Sequence, residues 1–190
     1  NYTVLGSQSC YNSADEITLL DKLLFDAYRL GNITSDITKV EPYLRNADLV
    51  SLDVNSIQAA HMQSLHNHPN GFDSREICAL TRYAGLSNSC RSFSVKELYG
   101  IENDLQAAML FAQCIWYFIE GVNFRVNDDS FEDDNFYNNY QVPIGDMVLH
   151  FKKSLKSGRW WIELPKSLHL DTKSKSTALL PCNYEDYLAA

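Results

Sequence analysis

Short apolar runs of strand length alternate with helix-length segments through residues 1–126, and this alternation leaves few folds open. Residues 2–5 are β-prone and close on Gly6, after which Ser13-Ala-Asp-Glu16 forms a capping box ahead of Ile17, Leu19, Leu20, Leu23 and Leu24. Tyr28 and Leu30 alternate as a short strand that Gly31 ends. Asp36 caps a helix over residues 37–45, with Pro42 inside to kink or shorten it. Residues 49–54, Leu-Val-Ser-Leu-Asp-Val, read as a strand buried on both faces. Asp73-Ser-Arg-Glu76 opens a second boxed helix through Ile77, Leu80, Thr81 and Ala84, with Gly85 placed for a left-handed cap. Phe93 and Val95 alternate in the strand over residues 91–97, and Asn103 or Asp104 caps the most apolar helix, which stops at Gly121. Strand, helix, strand, helix at this spacing predicts βαβ units, hence an α/β fold whose mostly parallel sheet is covered on both faces.

Composition narrows the partners. The 190 residues are one ordinary domain or a large part of one, and 45% hydrophobic residues suffice to close a core. With 24 Asp plus Glu against 16 Lys plus Arg, the formal charge of -8 repels phosphate backbones and anionic lipid, so nucleic acid and membrane surfaces are not expected partners. The apolar stretch over residues 105–119 falls short of a bilayer-spanning length of roughly 20 residues and reads as a buried helix. Cys10, Cys78, Cys90, Cys114 and Cys182 are odd in number and form no Cys-x-x-Cys pair, which fits a reducing, cytoplasmic setting. An opening residue of Asn and no secretory pattern suggest a piece of a longer or processed chain. Residues 127–146, rich in Asp, Glu and Asn, read as a solvated acidic loop, and residues 147–190 as a C-terminal extension packed on the same domain. Within that extension, residues 147–151 and 160–164 read as two strands joined by a Lys-rich turn, Arg159-Trp-Trp161 as an aromatic cluster packed in the core, with a partner surface as the less common alternative, and the tail from Pro181 as a segment that docks back.

Ligands of an open parallel sheet gather beyond the carboxyl ends of its strands. Asp53 and Glu97 stand at two such ends, where a carboxylate pair can share a divalent metal, take up a cationic substrate, or cap neighbouring helices. The long loop after Asp53 carries His61, His66 and His68, and an extended backbone would turn the His66 and His68 imidazoles to one point as metal ligands; exposed loop histidines are the commoner case. Cys78 and Cys114 fall within helical apolar patterns as packed thiols. No Gly-x-Ser-x-Gly elbow and no glycine-rich phosphate loop occurs, which removes serine-hydrolase and nucleotide-binding readings.

Val50-Ser-Leu-Asp-Val-Asn55, then Pro69-Asn-Gly-Phe-Asp-Ser-Arg-Glu76, then Ser92-Phe-Ser-Val-Lys-Glu97 resemble, in order, the second half of the ureohydrolases, the family of arginase, agmatinase and formimidoylglutamase. The likeness covers roughly residues 2–124; Ser157-Gly-Arg-Trp-Trp161 and Pro181-Cys-Asn-Tyr-Glu-Asp-Tyr187 are similar to segments of arginase-like proteins. It implies a three-layer α/β/α fold, here an incomplete domain, and two manganese ions that polarise a water for attack on a guanidino or formimino carbon. Asp53 matches the first aspartate of the family's late Asp-x-Asp metal motif, and Asn55 stands in place of the second. Glu97 matches the glutamate that receives the substrate's cationic group, and Gly71 and Glu76 match a Gly-x-x-x-x-Glu segment opening the next helix. The family's earlier His and Asp-x-His-x-Asp ligands have no counterpart in this sequence.

Two functions are therefore expected to compete. One is a manganese-dependent hydrolase of a linear C–N bond in a small guanidino or formimino substrate, represented by its C-terminal portion and inactive as this chain alone. The other is a non-catalytic arginase-like binding or assembly protein, since a fold can outlast its chemistry. Homo-oligomerisation stays open.

Overall fold

The computed structural model describes residues 2–62, 67–99, 101, 103–128, 134–145, 147–163 and 179–190. They divide into two compact units, Asn1–Arg125 and Val126–Ala190. In the first, β1 (Thr3–Ser7) and β2 (Asp26–Arg29) flank α1 (Ala14–Lys22), whose Ser13–Glu16 capping box forms as expected. Then come α2 (Leu30–Thr34), a 3-10 turn (Ile37–Val40), α3 (Glu41–Leu44), β3 (Leu49–Asp53), α4 (Ser74–Leu86), β4 (Ser92–Lys96) and α5 (Leu105–Asn123). β1 pairs with β2 and β3 with β4, both in parallel, as βαβ crossovers dictate.

The helix expected over residues 37–45 is split, because Pro42 can sit in the first turn of a helix but not in its interior. Gly31 does not end a strand but lies inside α2, and Gly85 is no left-handed cap: it is buried within α4, facing Gly121 of α5. Neither does α5 stop at Gly121; it runs 19 residues, long and apolar enough by length and composition alone to cross a membrane. Its expected full burial holds on one side only. Ala107, Leu110, Cys114 and Gly121 are buried, whereas Leu105, Met109, Trp116 and Ile119 are exposed. The core of this unit gathers Leu30, Val40, Val54, Ile57, Met62, Phe72 and Ile77 with the buried side of α5.

The second unit is built differently. β5 (Tyr137–Ile144), β6 (Met147–Ser154), β7 (Trp160–Glu163) and β8 (Leu179–Cys182) form an antiparallel sheet in sequence order, followed by α6 (Tyr184–Ala189). The molecule is thus α/β, and among the described residues the largest sheet is antiparallel, so the expected mostly parallel sheet is not confirmed. Residues 127–146 are likewise not one acidic loop, since they contain β5, and Asp128 is buried. Trp160 and Trp161 are core residues as expected, and the tail docks back: the Tyr187 ring stacks on Trp160 at 4.9 Å and meets Phe151 edge-on at 5.4 Å. Lys153 lays its ammonium over the Trp160 ring, 5.4 Å from its centre.

Candidate functional site

β3 and β4 run side by side with Asp53 in register with Lys96, so Glu97 follows one residue beyond the position opposite Asp53. The sheet therefore brings Asp53 and Glu97 to the same edge of the fold. Both residues are exposed. Glu97 has a φ of 62°, in the left-handed region that costs a residue with a Cβ about 1–2 kcal/mol. Lys96, which the sequence reading passed over, could have been found by aligning the two runs on their apolar residues, Val50 with Phe93 and Leu52 with Val95.

Past Asp53 the chain makes a 3-10 turn, Val54–Ser56, anchored by the fully buried Val54 and Ile57. The Asp53 carboxylate accepts the Asn55 amide at 2.8 Å, and the Ser56 hydroxyl donates to the Asp53 carbonyl at 2.6 Å. This holds the Asn55 side chain inward, where its Oδ1 is buried with no hydrogen-bond partner among the described residues. A buried unmet acceptor costs about 1–3 kcal/mol, so its retention needs a reason. The returning chain locks the turn in place: the Phe72 amide donates to the Ser56 carbonyl at 2.8 Å and the Gln58 amide to the Phe72 carbonyl at 3.1 Å. A side chain on Gly71 would strike that backbone, its Cβ falling 2.5 Å from the Ser56 carbonyl oxygen and 2.7 Å from the Gln58 nitrogen. Gly71 thus permits a close approach, and Glu76 closes a capping box with Asp73 at the start of α4.

The two described loop histidines have partners of their own. His61 Nδ1 lies 2.8 Å from the Ser74 hydroxyl in the first turn of α4, and the His61 carbonyl accepts from the Gln106 side chain at 2.9 Å. The His68 ring packs on Tyr11 at 4.4 Å between centroids. His66 lies outside the described residues. Cys78 and Cys114 are buried, and desolvation pushes the Cys114 thiol up to about 12 and the Cys78 thiol in the same direction, which leaves both protonated and unreactive at neutral pH.

The donors at the turn, the Asp53 carboxylate and the Asn55 Oδ1, are hard oxygens of the type that manganese takes. Together they bring one negative charge, and no group of three or more His, Cys, Asp or Glu side chains gathers among the described residues. Alone they do not fit a two-manganese centre.

Two parallel strand pairs with interleaved helices make the first unit an α/β fold, and that fold is similar to the fold of solved arginase-superfamily structures. Solved proteins with this fold include a formiminoglutamase from Trypanosoma cruzi determined with Mn2+ (TM-score 0.60, 14% identity, covering 65% of this chain and 44% of that one). An arginase superfamily protein from the same organism matches at a TM-score of 0.58 and 15% identity over 65% and 44% of the two chains. The formimidoylglutamase of Bacillus subtilis matches at 0.57 and 14% over 65% and 42%. This chain spans less than half the length of these proteins. No protein-family model matches the sequence, and no curated protein matches it.

Proposed function

We propose that the chain is the C-terminal portion of an arginase-type hydrolase that splits a linear C–N bond of a guanidino or formimino substrate. The observation that carries the reading is the Asn55 Oδ1, held inward and unpartnered beside Asp53 at the carboxyl edge of a parallel strand pair. Glu97, one residue past the position opposite Asp53, supplies a carboxylate for the substrate's cationic group. In this reading Asp53 orders the turn and contributes charge, Asn55 offers a neutral oxygen, and the remaining ligands come from residues outside this chain.

The test uses the longest natural form of the protein, supplied with manganese and assayed for urea from arginine or agmatine and for formamide from formiminoglutamate. Release from one of the three is expected, with Glu97→Gln raising KM about tenfold or more and leaving the melting temperature in place. Manganese at a hundredfold excess over its Kd should stabilise the protein by about 2.7 kcal/mol. Asp53→Asn should lose that stabilisation while still accepting the Asn55 amide. No release from any of the three substrates overturns the hydrolase reading.

The neutral side chain at Asn55, with no group of three ligands gathered among the described residues, favours a second reading, a non-catalytic arginase-like binding or assembly protein. Asn55→Asp separates the two. Tighter manganese retention with higher turnover places Asn55 in a working hydrolase site, whereas tighter retention without turnover supports the binding protein.

A further inference from the structure

We infer that the second unit joins two copies of this chain along the outer edge of β5, strand against antiparallel strand about a two-fold axis at Tyr140. β5 is an end strand of its sheet, and among the described residues it pairs with β6 alone. The Leu155 amide donates to the Phe136 carbonyl at 2.9 Å, which continues the register that sets Tyr137 opposite Ser154. Backbone groups alternate along an antiparallel strand, so the even-numbered residues of β5 bond to β6 and the odd-numbered ones turn outward. Asn139 and Gln141, both exposed, therefore each present an N–H and a C=O to whatever lies alongside. Pro143, which has no N–H to give a ladder, falls on the outward side as well.

Sheets protect their edges with short strands, charged residues, proline or bulges. The opposite edge, β8, is four residues long with Pro181 among them. β5 is eight residues long, pairs without a register shift, and lies in a run, residues 135–145, that holds no charged residue in a chain with 24 acidic and 16 basic ones. The occupant is a second copy because this strand complements itself. Turned about Tyr140, Asn139 exchanges backbone bonds with the partner's Gln141, and Gln141 with the partner's Asn139, so every outward backbone group of the two residues is met. On the face that carries Tyr140 and Val142, Phe136 comes opposite the partner's Ile144, and Ile144 opposite the partner's Phe136. In the single chain these two apolar side chains are 43% and 38% exposed, one at each end of the strand, as a two-fold contact requires. A strand without charge also meets itself without repulsion, whereas the net charge of -8 opposes self-association through charged surface. The inference rests on the second unit alone and stands whether or not the hydrolase reading does.

Sedimentation velocity on the full chain tests it, read as mass against the 21.7 kDa of one copy. A dimer is expected at about 100 μM chain and a monomer at about 1 μM, a range in which strand addition with a few apolar contacts holds a complex. Asn139→Lys combined with Gln141→Lys sets ammonium groups against one another across the axis and should weaken the dimer about tenfold or more. Asn139→Glu combined with Gln141→Glu should do the same with carboxylates. Within one chain positions 139 and 141 stand opposite Lys152 and His150 of β6, so the lysine changes lower the melting temperature of the monomer and the glutamate changes do not, which separates lost pairing from lost folding. Mixing the two variants restores opposite charges, and a dimer with one copy of each should form at least as tightly as the parent's. A parent that stays monomeric at the higher concentration, leaving the edge to another polypeptide, overturns the proposal. So does a dimer indifferent to the glutamate changes, or two monomeric variants that fail to combine.

Discussion

Asp128→Ala is expected to unfold the second unit. The Asp128 side chain is 2% exposed and lies 3.6 Å from the Arg159 guanidinium, itself 10% exposed, and it accepts from the Ser157 hydroxyl. Its own backbone carbonyl accepts from Tyr137, so the residue ties the start of β5 to the turn before β7. Removing one member of a buried ion pair strands the other in a low-dielectric interior, a loss of about 3–5 kcal/mol. Units this small have little more than that in reserve. In a Trp116→Phe background, fluorescence from Trp160 and Trp161 should report loss of the cooperative urea transition. Adding Arg159→Leu should restore much of it, because the stranded charge and not the missing attraction carries most of the damage. Stability of Asp128→Ala within about 1 kcal/mol of the parent would show that water reaches the pair.

Asp128 also shows where sequence reading stops. Among residues 127–140 it is one acidic residue of several, and nothing local distinguishes the one that meets Arg159 thirty-one positions later. β5 hid for a related reason. Its Tyr, Asn, Asn, Tyr, Gln sequence has no apolar alternation, and its pairing with β6 supplies what its side chains do not. β8 contains Pro181, which argues against an interior strand, and it is the edge strand of its sheet. The boxed starts of α1 and α4 and the strands ending at Asp53 and Lys96 were legible because capping residues and short apolar runs act locally. The same locality placed Asp53 and Glu97 at neighbouring strand ends. It said nothing of the Asn55 side chain, whose burial depends on Phe72 returning to bind Ser56. Helix α5 is apolar on nearly every side, so its periodicity could not tell the side that packs on α4 from the exposed one.

Alanine at Gly85 and at Gly31 is expected to change stability in opposite directions. Both glycines sit in helices, where Gly→Ala gains up to about 1 kcal/mol by reducing the freedom of the unfolded chain. A Cβ on Gly31 meets nothing within 4 Å, so that gain should appear undiminished. A Cβ on Gly85 would lie 3.0 Å from the Gly121 Cα and press on the Phe118 carbonyl, and one on Gly121 would lie 2.9 Å from the Gly85 Cα. These neighbours are helix backbone and cannot rotate away as a side chain would. The two helices must separate, which loosens the packing around the Cys78 and Cys114 thiols and draws the Arg125 guanidinium from the Gly85 carbonyl it binds at 2.8 Å. Overpacking of this kind costs about 1–3 kcal/mol for a single methyl, more than the propensity gain returns, and Gly121→Val should exceed it. Thermal unfolding of the single variants decides the matter. A rise in melting temperature for Gly31→Ala with a fall for Gly85→Ala and a larger fall for Gly121→Val is the expected order. A rise for Gly85→Ala equal to that for Gly31→Ala would mean that α4 and α5 do not meet backbone to backbone in solution.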